Sequence, residues 1–238
     1  MEKGYSMNSN SVKELLQRFP LFKNLTDYEM EPILDIANNR LYRQGTHLFM
    51  QGDPLTNVYF ILHGKIKIYR SDMQGKEQII NVLGEGGMFP HQGFFRNDNY
   101  PAHAEVLEEA TLIYIPIQMF EQFLITNPEV SVKVFKVLGD MIVDLQNRLE
   151  EQILHNTYEQ IILLLIRLAK SHGKEINEQE YKITTQFTNK DLANMIGSSR
   201  ETVSRTLTQL KKSNLVHNDK NGNLIINRDE LEEELFRG

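Results

Sequence analysis

The stretch Gly197–Val216, GSSRETVSRTLTQLKKSNLV, concentrates side chains that recognise other molecules rather than transform them. Arg200, Glu201, Ser204 and Arg205 are spaced to share one face at the start of a helix. An arginine fork matches the O6 and N7 acceptors of guanine, and a carboxylate accepts from the N4 amine of cytosine. The same four residues also suit an ordinary solvated helix surface, so the choice rests on the rest of the chain.

Other chemistries are poorly supplied. The 238 residues include no cysteine, which removes disulfides, thiolate metal sites and cysteine-held iron–sulfur clusters. His47, His63, His91 and His103 lie in one region but lack the His-x-His spacing of a haem or metal site. Clustered His and Glu ligands of a cupin-type enzyme are also missing. No catalytic residue, metal or cofactor is therefore expected. The net charge of −6 argues against general nucleic-acid affinity. Between Phe187 and Val216, however, Lys190, Arg200, Arg205, Lys211 and Lys212 outnumber Asp191 and Glu201, a local net of +3. A basic module on an acidic body fits a binding patch. The N-terminus has no basic segment followed by an apolar run, so no signal peptide is expected. The longest apolar run, IILLLI at Ile161–Ile166, is too short for a membrane span. The expectation is a cytoplasmic protein with no membrane partner.

Two short helices must hold the reading face. Thr188 suits the N-cap of KDLANMI, Gly197 ends that helix, and Ser198 or Ser199 caps RETVSRTLTQLKK. Two helices around a tight glycine turn form a helix-turn-helix, with Leu192, Ile196, Val203, Leu207 and Leu210 as its core face. VHNDKNGNLIIN follows as two strands around Asn221–Gly222, a type I′ hairpin signal and a wing. Thr157–Gly173 precedes this unit as a further helix.

Upstream, Val130, Val134, Val137, Met141, Leu145, Leu149 and Ile153 recur at steps of three and four, with Leu138 and Ile142 flanking. A helix over Glu129–His155 spans about 40 Å, and its seam suits a partner helix. A homodimer along it is expected; packing on its own domain is the alternative. Leu41–Ile115 holds short apolar or alternating runs punctuated by Gly45, Gly52, Gly64, Gly75 and Gly86–Gly87. These predict an antiparallel β-roll. Val12, Leu15, Leu16 and Phe19 mark a helix before Pro20, and Thr26–Glu29 has capping-box spacing for another, with Pro32 as a candidate kink. The fold class is α+β. Residues 1–128 form a helical segment and β-roll, 129–156 the long dimerisation helix and hinge, and 157–238 the winged helix-turn-helix.

A glycine-marked roll, a long helix and a winged helix-turn-helix, in that order, resemble the Crp/Fnr family of bacterial transcription regulators. SRETVSRTL after Gly197 is the most specific part, supported by FMQGD, VYFILHGKIKIY and NPEVSVKVFKVLGDM. The resemblance implies a homodimer on a double-stranded promoter palindrome, with RNA polymerase as a further partner. It implies a half-site resembling TGTGA, with Arg200 and Arg205 on guanines and Glu201 on cytosine. Ser204 departs toward the oxygen-sensing members, where a serine here touches thymine. Thr188, Lys190, Ser199 and Thr202 would hold phosphates and fix register; capping and solvated surface are their other readings.

The nucleotide-binding members of the family use a Gly-Glu pair and an Arg-Ser pair around the cyclic phosphate. His91–Gln92 and Ala102–His103 stand at those places here, and Leu145–Gln146 replaces the Thr-Ser that meets the purine. The effector pocket is therefore degenerate, cyclic AMP is not expected to bind, and any effector is unidentified. Arg96 is a candidate cation by another route. This layout is similar to some firmicute regulators of arginine-deiminase operons. A sensor that acts on a partner protein instead of DNA is the alternative function, and the winged helix argues against it.

Overall fold

A computed structural model describes residues 9–23, 25–95, 98–177 and 179–236. The chain divides into two compact units between Val143 and Asp144.

The first unit opens with α1 (Ser9–Leu16) and α2 (Asp27–Leu34). Thr26 and Glu29 close the capping box at the start of α2: the Glu29 carboxylate accepts the Thr26 N–H at 2.7 Å, and Thr26 Oγ1 accepts the Glu29 N–H at 3.4 Å. Pro32 lies inside α2 rather than ending it. Six strands follow: β1 (Asn38–Tyr42), β2 (His47–Phe49), β3 (Asn57–Ser71), β4 (Glu77–Leu83), β5 (Met88–Phe89) and β6 (His103–Pro116). They form one antiparallel sheet of order β1-β6-β3-β4, with β2 added against β6 and β5 against β3.

β3 explains how one sheet serves two cores. Its side chains alternate faces. Val58, Phe60 and Leu62 join α1, α2 and the helices after β6 in one buried cluster. Tyr59, Ile61 and Ile66 join Phe49, Phe89, Tyr100 and Leu112 in a second cluster inside the roll. Gly64 sits where the register of β3 against β6 shifts, with φ of +90°. A Cβ there would stand 2.3 Å from the Glu109 carbonyl oxygen, so both the angle and the space demand glycine.

The short helix α3 (Ile117–Thr126) was not foreseen in the sequence; Phe120, Phe123 and Leu124 bury its inner face. α4 (Pro128–Leu154) follows as the long helix. Its apolar stripe divides into two parts. Val130 and Val134 are buried in the helical core, and Leu138 packs against it. Farther on, Leu145, Leu149 and Ile153 are 67%, 57% and 71% exposed.

The second unit builds one core from α5 (Thr157–His172), α6 (Asn189–Ile196) and α7 (Arg200–Lys212). Leu192, Ile196, Val203, Leu207 and Leu210 are all buried in it, as their spacing implies. The wing is larger than a lone hairpin. β7 (Gly173–Glu175), β8 (Glu180–Ile183), β9 (Val216–Asn218) and β10 (Leu224–Asn227) form a sheet of order β7-β8-β10-β9. The turn at its tip is not type I′, because Asn221 does not take a positive φ while Gly222 does, at +85°. Asp219 sets it instead: its carboxylate accepts the N–H groups of Asn221 and Asn223, each at 2.8 Å. α8 (Arg228–Leu235) closes the unit through buried Leu231. No helix among the described residues is long and apolar enough to cross a membrane.

Candidate DNA interface and effector cavity

The helix-turn-helix is fixed by side chains that also bear on the interface. Thr188 caps α6 in a box with Asp191. The Asp191 carboxylate accepts from the Thr188 hydroxyl at 2.6 Å and from its N–H at 2.9 Å, while Thr188 Oγ1 accepts the Asp191 N–H at 3.1 Å. The single hydroxyl proton of Thr188 is thus already donated, and a phosphate oxygen can only accept. Removing the cap is expected to cost this unit about 1 kcal/mol in Thr188→Ala. Urea unfolding checks it; an unchanged midpoint would mean that the box carries no weight.

Gly197 ends α6 in the left-handed region with φ of +70°. Ser199, rather than Ser198, caps α7, accepting the Thr202 N–H at 3.1 Å. The Ser199 and Thr202 hydroxyls lie 2.9 Å apart. One of them donates to the other, so one hydroxyl proton stays available for a phosphate. Lys190, on the first turn of α6, is exposed.

Val203, Thr206, Leu207 and Leu210 turn inward from α7. Arg200, Glu201, Ser204 and Arg205 all lie on the exposed side. Arg205 Nε approaches the Glu201 carbonyl oxygen at 3.4 Å, which lays the guanidinium along the helix. Arg200, Glu201 and Lys190 form no ion pair with any described residue. The first two turns of α7 therefore present two guanidinium groups, a carboxylate and a hydroxyl on one exposed face, with only the Arg205 Nε engaged by a described residue, at the Glu201 carbonyl oxygen. These donor and acceptor types match the base edges exposed in a major groove.

The first unit holds a cavity of about 140 Å³ inside the mouth of the roll. Three of the pocket positions singled out by sequence, His91, Gln92 and Ala102, line it. His103 does not. Its ring stacks on Tyr69 with centroids 4.8 Å apart, and its Nδ1 accepts the Gln51 N–H at 3.1 Å. Leu145 and Gln146 are exposed on α4, and Met141 is the residue that α4 gives to the cavity wall. Arg96 lies outside the described residues. The sequence reading missed Arg70, which lines the cavity two residues beyond Ile68 on β3. The alternation of KIKIYR carried that signal, since Ile68 and Arg70 share a face.

Burial pushes the His91 imidazole down to about 4. At neutral pH this ring is uncharged and supplies no cation for a phosphate. Below its ordinary value of 6.5 the unfolded chain takes up a proton that the folded one refuses. Stability is therefore expected to fall as pH drops from 6.5 toward 4. His91→Gln should flatten that part of the pH profile in urea titrations, and an unaltered slope would show that His91 contributes nothing to it.

Comparison with known proteins agrees with this geometry. The cyclic nucleotide-binding domain family matches residues 39–127, and the Crp-like helix-turn-helix domain family matches residues 159–234. The anaerobic regulatory protein of Bacillus subtilis is 26% identical over 211 residues, which cover 88% of each chain. The CRP-like cAMP-activated global transcriptional regulator of Mycobacterium tuberculosis is 23% identical over 196 residues, covering 82% of this chain and 87% of its own. A structure of a CooA mutant from Carboxydothermus hydrogenoformans shares the fold with a TM-score of 0.72 at 20% identity, covering 97% of each chain. With a cyclic-nucleotide-binding-type roll and a Crp-type helix-turn-helix in one chain, the protein belongs to the Crp/Fnr family, as a DNA-binding transcription regulator and not an enzyme.

Proposed function

We propose that the protein acts as a homodimer on a TGTGA-like promoter palindrome and needs no cyclic AMP to do so. The open edge of α7 carries this reading. Arg200 and Arg205 would each grip a guanine, Glu201 would accept from a cytosine, and Ser204 would lie near a neighbouring base. Lys190, Ser199 and Thr202 would hold phosphates and set the register. Thr188 would join them only by giving up its bond to Asp191, or through waters. The functional division is a sensor over 1–128, a dimerisation helix and hinge over 129–156, and a reader over 157–238. RNA polymerase is the expected protein partner at the promoter.

Independence from cyclic AMP rests on the cavity. At the places where the nucleotide-binding members carry their Gly-Glu and Arg-Ser pairs, the cavity wall has a neutral His91 and an apolar Ala102. Arg70 stands elsewhere, on β3, and a cavity of about 140 Å³ is too small for a fused two-ring base with its ribose and phosphate. Saturating cyclic AMP is expected neither to tighten DNA binding nor to raise the melting temperature. A ligand confined to the folded state, at about a hundred times its dissociation constant, would add about 2.7 kcal/mol. A reproducible rise of several degrees would contradict the reading. The direct test of function is the affinity of the purified, ligand-free protein for a TGTGA palindrome at stated salt, where binding no tighter than to random DNA would overturn it.

A further inference from the structure

We propose that the cavity in the roll binds a compact apolar monocarboxylate, with the Arg70 guanidinium holding the carboxylate at the cavity mouth. The proposal rests on the reading that this cavity is not a cyclic-nucleotide site.

The wall is mostly apolar. Phe49, Ile68, Leu83, Phe89, Ala102 and Met141 form its greasy body. Four polar residues interrupt it: Arg70, Asn81, His91 and Gln92. None of these four side chains hydrogen-bonds or ion-pairs with another described residue. An apolar pocket with a few unpartnered polar groups is the usual form of a small-molecule site.

Charge narrows the ligand. Arg70 is the one ionised group among the described lining residues, because no Asp, Glu or Lys lines the cavity and His91 is neutral. A single anionic group is matched by one guanidinium. A phosphate monoester, carrying nearly two charges, would need a second cation that these residues do not supply. The planar guanidinium fork also fits a carboxylate with two parallel hydrogen bonds. The amides of Asn81 and Gln92 offer further N–H donors. Ile68 and Arg70 face the same way on β3, so an apolar body against Ile68 brings its charged end to Arg70.

Volume narrows it again. An apolar cavity of about 150 Å³ holds one benzene ring. The cavity here is about 140 Å³. It suits one six-membered ring or a short alkyl chain, and not a fused two-ring base with its ribose and phosphate.

Calorimetric titration of the full-length protein tests this with benzoate and hexanoate as probes, benzamide as the neutral counterpart of benzoate, and cyclic AMP. At least one of the two carboxylates is expected to bind in the millimolar range or tighter, and benzamide about tenfold more weakly than benzoate if benzoate is the one that binds. Arg70→Gln is expected to weaken the carboxylate about tenfold, and Arg70→Lys to restore part of the loss. Arg70 is exposed, so neither variant should disturb folding, and the melting temperature confirms it. Silence from both carboxylates, equal binding of benzoate and benzamide, or undiminished binding in Arg70→Gln would each overturn the proposal. Binding of cyclic AMP would instead overturn the reading on which it rests.

Discussion

Aspartate at both Leu145 and Leu149 is expected to leave a folded monomer that no longer binds the palindrome. The two leucines are 67% and 57% exposed, so the change removes no packing from the chain's own cores. A homodimer seam on α4 would bury both, together with Ile153 one turn farther on. Four carboxylates would then face one another in an apolar contact. Each carries a desolvation cost of several kcal/mol, and the nearby Arg148 is already paired with Asp144. Dissociation follows, and a monomer meets only one half-site, losing about half of its contacts to the duplex. Sedimentation and gel shift read the two effects, and a melting temperature close to the parent's shows that folding is intact. A variant that stays dimeric and still binds would place the interface elsewhere. Met141 is left in place because it also lines the cavity.

The legible parts of the fold were those where one local signal and one long-range pattern agreed. α6 and α7 carried caps, a glycine stop and a five-residue core face, and all of these are present. α4 carried an unbroken periodicity, yet the pattern could not say where its stripe leaves its own core. That break, after Leu138, is set by how far the packed helices of the first unit reach. α8 stayed hidden because it is acidic, with the single buried anchor Leu231. β7 and β8 stayed hidden because they are short and owe their form to pairing, β8 with β10 and β7 with β8. Asn221–Gly222 misled: the dipeptide favours a type I′ turn, but the Asp219 carboxylate captured the nearby N–H groups and imposed another. In the cavity, position along the chain found His91, Gln92 and Ala102. It missed Arg70, a residue that strand alternation alone brings to the wall.

The second large effect concerns α7. Arg200→Ala is expected to cost about 1–3 kcal/mol on the specific site and to relax preference at one base pair. Binding to random DNA should change far less, since that term belongs to phosphate contacts. Lys190→Ala should behave in the opposite way, weakening all sequences alike and making the salt dependence shallower by about one unit of log slope. Glu201→Ala should loosen discrimination without weakening non-specific binding, because a carboxylate near phosphates is repelled unless a cytosine amine meets it. Arg200 and Glu201 are exposed, so as plain surface residues each would shift binding by no more than about 0.5 kcal/mol.

The central claim is that the first turn of α7 reads sequence. The most direct measurement is a base-by-base binding scan of a TGTGA-like palindrome with the parent protein and with Arg200→Ala, at one fixed salt concentration. The account predicts that the variant loses discrimination at a single guanine in each half-site and keeps it at the other positions. An identical preference profile for the two proteins would contradict it and return Arg200 to the solvated surface.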